Sequence, residues 1–567
     1  MLSVIISSGS SFFYDLDIDL DSQSRELPLF GAWKGENSAL TEKSEIVELS
    51  NGLRIQGLTY AGGLSTFKGI PYASPPVGEL RFKPPVDFKK DSDEVMDCSD
   101  WGNYCLQRNG GSEDCLFLNV FVNLEVARKR KAPVAIFVHG GSYNSGASNQ
   151  YNGAYNVDYW QGEGIIVTIN YRLNVFGFLG SNELRENGDG TVGMWGIQDQ
   201  RMAFKWVKEN IELFGGDPDR VMIFGESAGA GSMSNHLTNK NSWPFFNSVA
   251  LESGSMSQWS MQPMSLAETK YAMVLEATNC ADADCLKSMS ADQLYDSTGN
   301  LTLTTDSSSG YTFWAPVCDG VEATEHPWFS AKKGVVHDVP ILHGTNTDEG
   351  GMFTALDKQS ATHKQLQFMW SSAGYLDADK MEALYVTDKQ YPTEATGYSP
   401  YWYAGERSVG DIAFSCPDKF AADTISKHVK DGTLQNAKSY VYHFEHIPVY
   451  GEPEKMYVDH AAELAFTFHL RYLMENNGTD IATADLMSTY WGNFLLSSDP
   501  NHSHSFGVQL EKEGIAPWTT YSFDQVNVHT VAEGTAEGVK NIGSFKTDEC
   551  DYLIPVLEEK IKESFAS

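Results

Sequence analysis

Five short apolar runs place the tightest constraint on how this chain can fold. They are Val134 to Val138, Ile165 to Ile169, Val221 to Phe224, Ser248 to Leu251 and Val339 to Leu342. Each has the length and β-favouring content of a strand, and each is apolar almost throughout, as a strand buried on both faces must be. Between the second and third runs, Ala203, Trp206, Val207, Ile211 and Phe214 recur at three- and four-residue spacing, the pattern of a helix with one buried stripe. Strands alternating with helices predict an α/β fold with a large, mostly parallel central sheet and helices on both faces. From Ile46 onward no repeat or Gly/Ser-rich linker divides the chain, so residues 46–567 read as a single α/β domain. Residues 1–45 read as an N-terminal extension. There Asp15, Asp17, Asp19 and Asp21 alternate with Leu16, Ile18 and Leu20, a solvated strand or tail without the glycine and closing glutamate of a calcium loop.

Composition narrows the function classes. The 567 residues include 41 Lys+Arg against 75 Asp+Glu, a formal charge of −34. That balance opposes binding to nucleic-acid phosphates or to anionic lipid, which needs clustered basic groups. With 41% hydrophobic residues, the chain has material for a large core. No apolar run approaches the roughly 18 residues that read as a bilayer span. Met1 to Ile6 lacks the basic start of a signal peptide, and Leu557 to Ser567 lacks an anchor tail, so no stable membrane insertion is expected. Cys105 and Cys115 are ten apart and Cys280 and Cys285 five apart. Neither spacing is C-x-x-C, and no histidine stands at ligand spacing, so neither a metal nor a cofactor is expected. Asn300-Leu-Thr302, Asn477-Gly-Thr479 and Asn501-His-Ser503 are N-glycosylation acceptor triplets, weak pointers to a secreted glycoprotein.

The third strand runs directly into Gly225-Glu226-Ser227-Ala228-Gly229, and Ala230 to Leu237 continues as a helix. This is G-x-S-x-G between a strand and a helix, the context that makes the serine a nucleophile. A hydroxyl exposed at the top of a sheet needs a sharp, strained turn, and the flanking glycines let neighbouring backbone pass close to it.

The segment Phe224 to Ser232 closely resembles the nucleophile signature of type-B carboxylesterases, the family of cholinesterases and fungal lipases. Glu113-Asp-Cys-Leu-Phe-Leu-Asn-Val120 resembles the family's second signature, and Phe67 to Phe82, Asn170-Tyr-Arg-Leu173 and Phe214-Gly-Gly-Asp-Pro218 resemble further motifs of the family. The resemblance covers about residues 46–560 and implies an α/β-hydrolase fold. It also implies a triad of Ser227, Glu349 in Thr347-Asp-Glu-Gly350, and His460 in His460 to Phe466, with Glu463 structural. Val138-His-Gly-Gly-Ser-Tyr143 resembles the family's oxyanion loop, so Gly141, Ser142 and Ala228 are the expected amide donors. Ser142 stands where the family often has a third glycine, which keeps the donor but adds a side chain. Glu226, Tyr143, Trp259, Met352 and Phe353 are the expected pocket residues. By the same resemblance, disulfides pair Cys105–Cys115, Cys280–Cys285 and Cys416–Cys550, and ion pairs join Arg81 with Glu113 and Arg172 with Asp199. Cys98 and Cys318 are left as free, buried thiols.

Substrate choice is the least determined. In the family's lipases the loop between the first two bridged cysteines is a long lid, but here it holds only the nine residues Leu106 to Asp114. The cholinesterases carry a tryptophan there that stacks on a quaternary ammonium. This loop has no aromatic residue, and Met352 replaces a second aromatic of that cation site. The expected substrate is therefore a small to medium apolar ester, hydrolysed through an acyl-enzyme in a secretory setting. A lipase-like acylglycerol hydrolase and a non-catalytic, cholinesterase-like adhesion or scaffold protein are the alternatives. Those scaffold relatives typically lack the serine, which is present here.

Overall fold

Along the central strands, successive side chains leave for opposite sides of one sheet, as a pleat of period two requires. Val134, Ile136 and Val138 join one buried cluster, and Ala135 and Phe137 join another. Val221 and Ile223 part from Met222 and Phe224 in the same way. Apolar groups are thus needed at every position, which explains the unbroken runs. The computed structural model describes residues 42–90, 92–185, 190–302, 313–449, 457–474 and 477–566. The acidic alternation at Asp15 to Asp21, and residues 1–41 of the expected extension with it, lie outside the described residues.

Twelve strands form the sheet. In chain order they are β1 (Glu42–Lys43), β2 (Leu58–Thr59), β3 (Leu64–Pro71), β4 (Phe117–Asn123), β5 (Ala132–Val138) and β6 (Ile165–Ile169). There follow β7 (Gly216–Glu226), β8 (Ser248–Glu252), β9 (Ile341–Asn346), β10 (Ser439–Phe444), β11 (Val528–Val531) and β12 (Val539–Ile542). Their spatial order is β1-β2-β3-β4-β6-β5-β7-β8-β9-β10-β11-β12. Every pairing from β6 to β11 is parallel. The remaining pairings, at the two edges, are antiparallel. The chain builds leftward from β5 to β6 and then returns to lay β7 on the other side of β5. That reversal makes a switch point beyond the carboxyl ends of β5 and β7, the place where open α/β sheets have their ligand crevice.

The sheet begins at Glu42, ahead of the domain boundary expected at 46, because Glu42 and Lys43 pair antiparallel with Thr59 and Leu58. Backbone pairing tolerates polar side chains at an edge, so such a strand leaves little trace in composition. On one face lie α1 (Trp195–Asn210), α2 (Ala228–Thr238), α4 (Cys416–Lys430) and α6 (Thr547–Ala566). They bring Phe204, Val207, Met233, Leu237, Phe420, Ile425, Leu553 and Leu557 into the first cluster. On the other face, α5 (Gly478–Ser497) contributes Leu486, Met487, Trp491 and Phe494 to the second cluster. Full burial of each such side chain is worth about 1.5–3 kcal/mol. A shorter helix, α3 (Pro400–Gly410), stands beside the crevice.

Disulfides join Cys105 to Cys115, Cys280 to Cys285 and Cys416 to Cys550, the last tying α4 to α6. Cys98 and Cys318 are unbonded, but only Cys98 is buried. Cys318 sits at the end of a short strand and is partly open to solvent, contrary to the expectation of two buried thiols. Burial still pushes both thiols up to about 12. Arg81 pairs with Glu113 at 2.6 Å and Arg172 with Asp199 at 2.7 Å. The 105–115 loop is a small hairpin in which Gln107 and Gly110 exchange backbone bonds of 2.8 and 3.0 Å. Among the described residues no helix is long and apolar enough to cross a membrane.

Candidate active site

Ser227 occupies the turn between β7 and α2 with φ 54° and ψ −120°, a conformation costly for a residue with a side chain. The turn is held by its neighbours: Ser227 N donates to Glu252 O at 2.9 Å, and Gly231 N donates to Ser227 O at 2.8 Å. A methyl group on Gly225 would come within 2.6 Å of Val138 O, and one on Gly229 within 2.0 Å. The motif glycines are therefore required by the end of β5 pressing on the elbow.

Glu349 follows β9, and His460 lies between the segment at 457–459 and a short helix, Leu464–Thr467. The two meet across the crevice, with His460 Nδ1 2.6 Å from Glu349 Oε2. Glu349 Oε1 accepts from Ser253 Oγ at 2.5 Å and from Asn346 N at 2.6 Å, so the carboxylate is fixed from both sides. His460 Nε2 lies 3.0 Å from Glu226 Oε1 yet makes no hydrogen bond. No hydrogen bond joins His460 to Ser227 Oγ among the described residues. Burial alone would lower the imidazole pKa, but the carboxylates of Glu226 and Glu349 outweigh it and raise it to about 9. Burial also raises Glu226, and the nearby His460 charge opposes that rise.

The segment after β5 wraps the elbow. Gly141, Ser142 and Tyr143 all have positive φ, at 101°, 54° and 59°. A methyl on Gly140 would meet Glu226 Oε2 at 2.6 Å and Ser227 Cβ at 3.0 Å, which measures how closely this loop abuts the serine. Among the described residues the amides of Gly141, Ser142 and Ala228 donate to no acceptor. For Ala228 this follows from its place in the first turn of α2, where no intrahelical carbonyl is available. His139 stacks on Tyr171 at 4.5 Å, and burial pulls its pKa down to about 4, so it contributes no positive charge at neutral pH. The hairpin braces the loop: Gln107 Nε2 donates to Gly146 O, and Gly146 N donates to Gln107 Oε1, both at 2.9 Å.

A family model described as the carboxylesterase family matches residues 43–552. The chain belongs to the carboxylesterase family. It is 30% identical over 545 residues to acetylcholinesterase 1 of Caenorhabditis elegans, covering 85% of this chain and 82% of that protein. It is 34% identical over 325 residues to the para-nitrobenzyl esterase of Bacillus subtilis, covering 55% of this chain and 64% of that protein. A solved PNB esterase structure superposes with TM-score 0.73 at 27% identity, covering 90% of this chain and 99% of that one. The carboxylesterase is accordingly a carboxylic-ester hydrolase, and its fold is the α/β-hydrolase fold.

Around the imidazole of this carboxylesterase stands an aromatic wall. Phe353 lies 5.0 Å from the His460 ring, and Phe414 lies 4.5 Å from it. Trp259 touches Phe414 at 5.8 Å and donates Nε1–H to Ala413 O at 3.0 Å. Phe414 was not among the expected pocket residues. It sits in a single π-helical turn, Asp411–Ser415, two residues before the bridged Cys416, and that cysteine motif was read only for its disulfide. Met352 is half-buried beside Phe353. Tyr143, expected to line the pocket, is fully enclosed: its ring packs on Phe178 at 5.0 Å and its hydroxyl abuts Gly231. The left-handed turn at Ser142 and Tyr143 leaves its ring in the core.

Proposed function

We propose that the carboxylesterase works through Ser227, His460 and Glu349 by an acyl-enzyme. The observation carrying this reading is the meeting of three features: a serine on a strained elbow, three unengaged amides beside it, and an imidazole held by a carboxylate. Ser227 Oγ attacks the ester carbonyl as its proton passes to His460 Nε2, the nitrogen left without a hydrogen bond. Catalytic hydrogen bonds of this kind commonly tighten only once substrate is bound. Glu349 holds the ring and stabilises the imidazolium. The oxyanion is received by the amides of Gly141, Ser142 and Ala228; loss of one such donor typically costs about 10²–10³ in kcat. The carbonyl re-forms, the alcohol leaves with the proton from Nε2, and water repeats the cycle to release the acid.

Trp259, Phe353 and Phe414 support a preference for small to medium apolar acyl groups, since their rings stand close to the imidazole that must meet the ester. The braced hairpin at 105–115 speaks against a lipase-like lid. Three disulfides favour an oxidising compartment, so we place the enzyme on the secretory route. A p-nitrophenyl ester series of rising acyl length, with Ser227→Ala beside the wild type, tests the reading. Hydrolysis strongest on short acyl chains and lost in the variant is expected. Undiminished turnover by Ser227→Ala would overturn the nucleophile assignment, and a preference for long chains would overturn the substrate class.

A further inference from the structure

We propose that Arg407 is a positioning residue for the Glu349–His460 pair, acting through Asp348; the proposal rests on the triad reading above. Glu349 and His460 belong to segments far apart in sequence, and Asp348 is where those segments are tied together. Asp348 N donates to Val458 O at 2.8 Å, and Asp348 Oδ2 accepts from Val458 N at 2.7 Å. The acid's immediate neighbour therefore clasps the backbone two residues before the imidazole. Asn346 adds a second tie, with Nδ2 donating to Asp459 O at 3.0 Å.

Asp348 is a poor clasp by itself. Its side chain is only 4% exposed, and a carboxylate out of water is stable only if its charge is met. Arg407, at the eighth position of α3, meets it: Nη2 lies 2.6 Å from Asp348 Oδ1, while Nε donates to Glu406 Oε1 at 2.7 Å. Glu406 is wholly buried, so one guanidinium serves two enclosed acids. Lys546 is paired with Asp411, and Lys358 donates to Tyr457 Oη at 2.5 Å. The helix is also pressed onto the acid loop, since a methyl on Gly350 would come within 1.9 Å of Glu406 O and one on Gly410 within 3.0 Å of Glu349 Cβ. Without the guanidinium, the Asp348 carboxylate has no ion pair left among the described residues. A buried, uncompensated carboxylate turns toward water, and that change weakens its hold on Val458. Among the described residues the Arg407 side chain, 27% exposed, makes no ion pair or hydrogen bond with Ser227 or the oxyanion loop, so its influence runs through Asp348.

The test compares Arg407→Gln, Arg407→Lys, Asp348→Asn and the Asp348→Asn/Arg407→Gln double variant for kcat, KM and thermal midpoint on p-nitrophenyl acetate. Arg407→Gln should lower kcat about tenfold or more with KM within about twofold, because a small misplacement of a catalytic group is expensive in rate. Arg407→Lys should recover most of that loss, and in the Asp348→Asn background the glutamine should cost less than about threefold. A lowered midpoint with kcat unchanged would make Arg407 merely structural and overturn the proposal. So would a full, undiminished loss in the double variant. Failure of the triad reading is separable, because the far-downfield proton of His460 Nδ1–H can be followed by NMR without substrate. Broadening or loss of that proton in Arg407→Gln supports the proposal; an unchanged resonance overturns it.

Discussion

Glu226 is next to the nucleophile in sequence and next to the imidazole in space, and that double adjacency has a consequence for pH. Its carboxylate and that of Glu349 hold the His460 pKa above the ordinary 6.5, at about 9. Only neutral imidazole can accept the serine proton, so kcat/KM should fall on the acid side of a limb displaced to alkaline pH. Glu226→Gln removes one of the raising charges, and the limb should move to lower pH by about one unit. A pH–rate profile of the variant checks the sign; a limb that stays or moves upward contradicts it. On the acyl side, Phe414→Ala should shift the preferred chain length upward by two or more carbons, read from kcat/KM along the same ester series. Ser227, Glu349 and His460, the residues of the proposed triad, were legible as candidates because each sits in a contiguous motif. Phe414 and the Arg407–Asp348 pair were not, since their meaning arises only when α3 and its π-turn fold against segments remote in the chain.

At the scale of elements, the parallel strands were legible because a strand covered on both faces leaves no room for polar residues. The edges were less so: β1 is two charged residues, Glu42 and Lys43, whose only qualification is a partner strand. The hairpin at 105–115 was foreseen as too short to cover the crevice, but its second duty was not. Through Gln107 it grips both backbone groups of Gly146, at the end of the loop that carries the unengaged amides. Gln107→Ala should leave the fold intact and lower kcat about tenfold or more, with KM less affected, because those donors serve the transition state. Steady-state kinetics on a short ester, alongside an unchanged far-UV spectrum, decides between this bracing role and a passive one.

Across the whole molecule, Cys416–Cys550 closes a loop of 134 residues between α4 and α6. Chain-entropy reasoning assigns such a closure about 5 kcal/mol at most, and measured bridges typically give about 2–4 kcal/mol. The double Cys416→Ala/Cys550→Ala variant should therefore unfold at markedly lower denaturant concentration while the crevice keeps its short-ester preference. Equal midpoints for variant and wild type would show the bridge to be dispensable. The hydroxyl of Ser227, the proposed nucleophile, by contrast depends on no staple. It grows from β7 and is pressed by the end of β5, the adjoining pair at the interior of the parallel sheet, with apolar layers above and below. Fraying, which starts at margins and tips, has no short route to it. Catalytic competence should thus persist until the sheet itself gives way, making its disappearance a gauge of global rather than local opening.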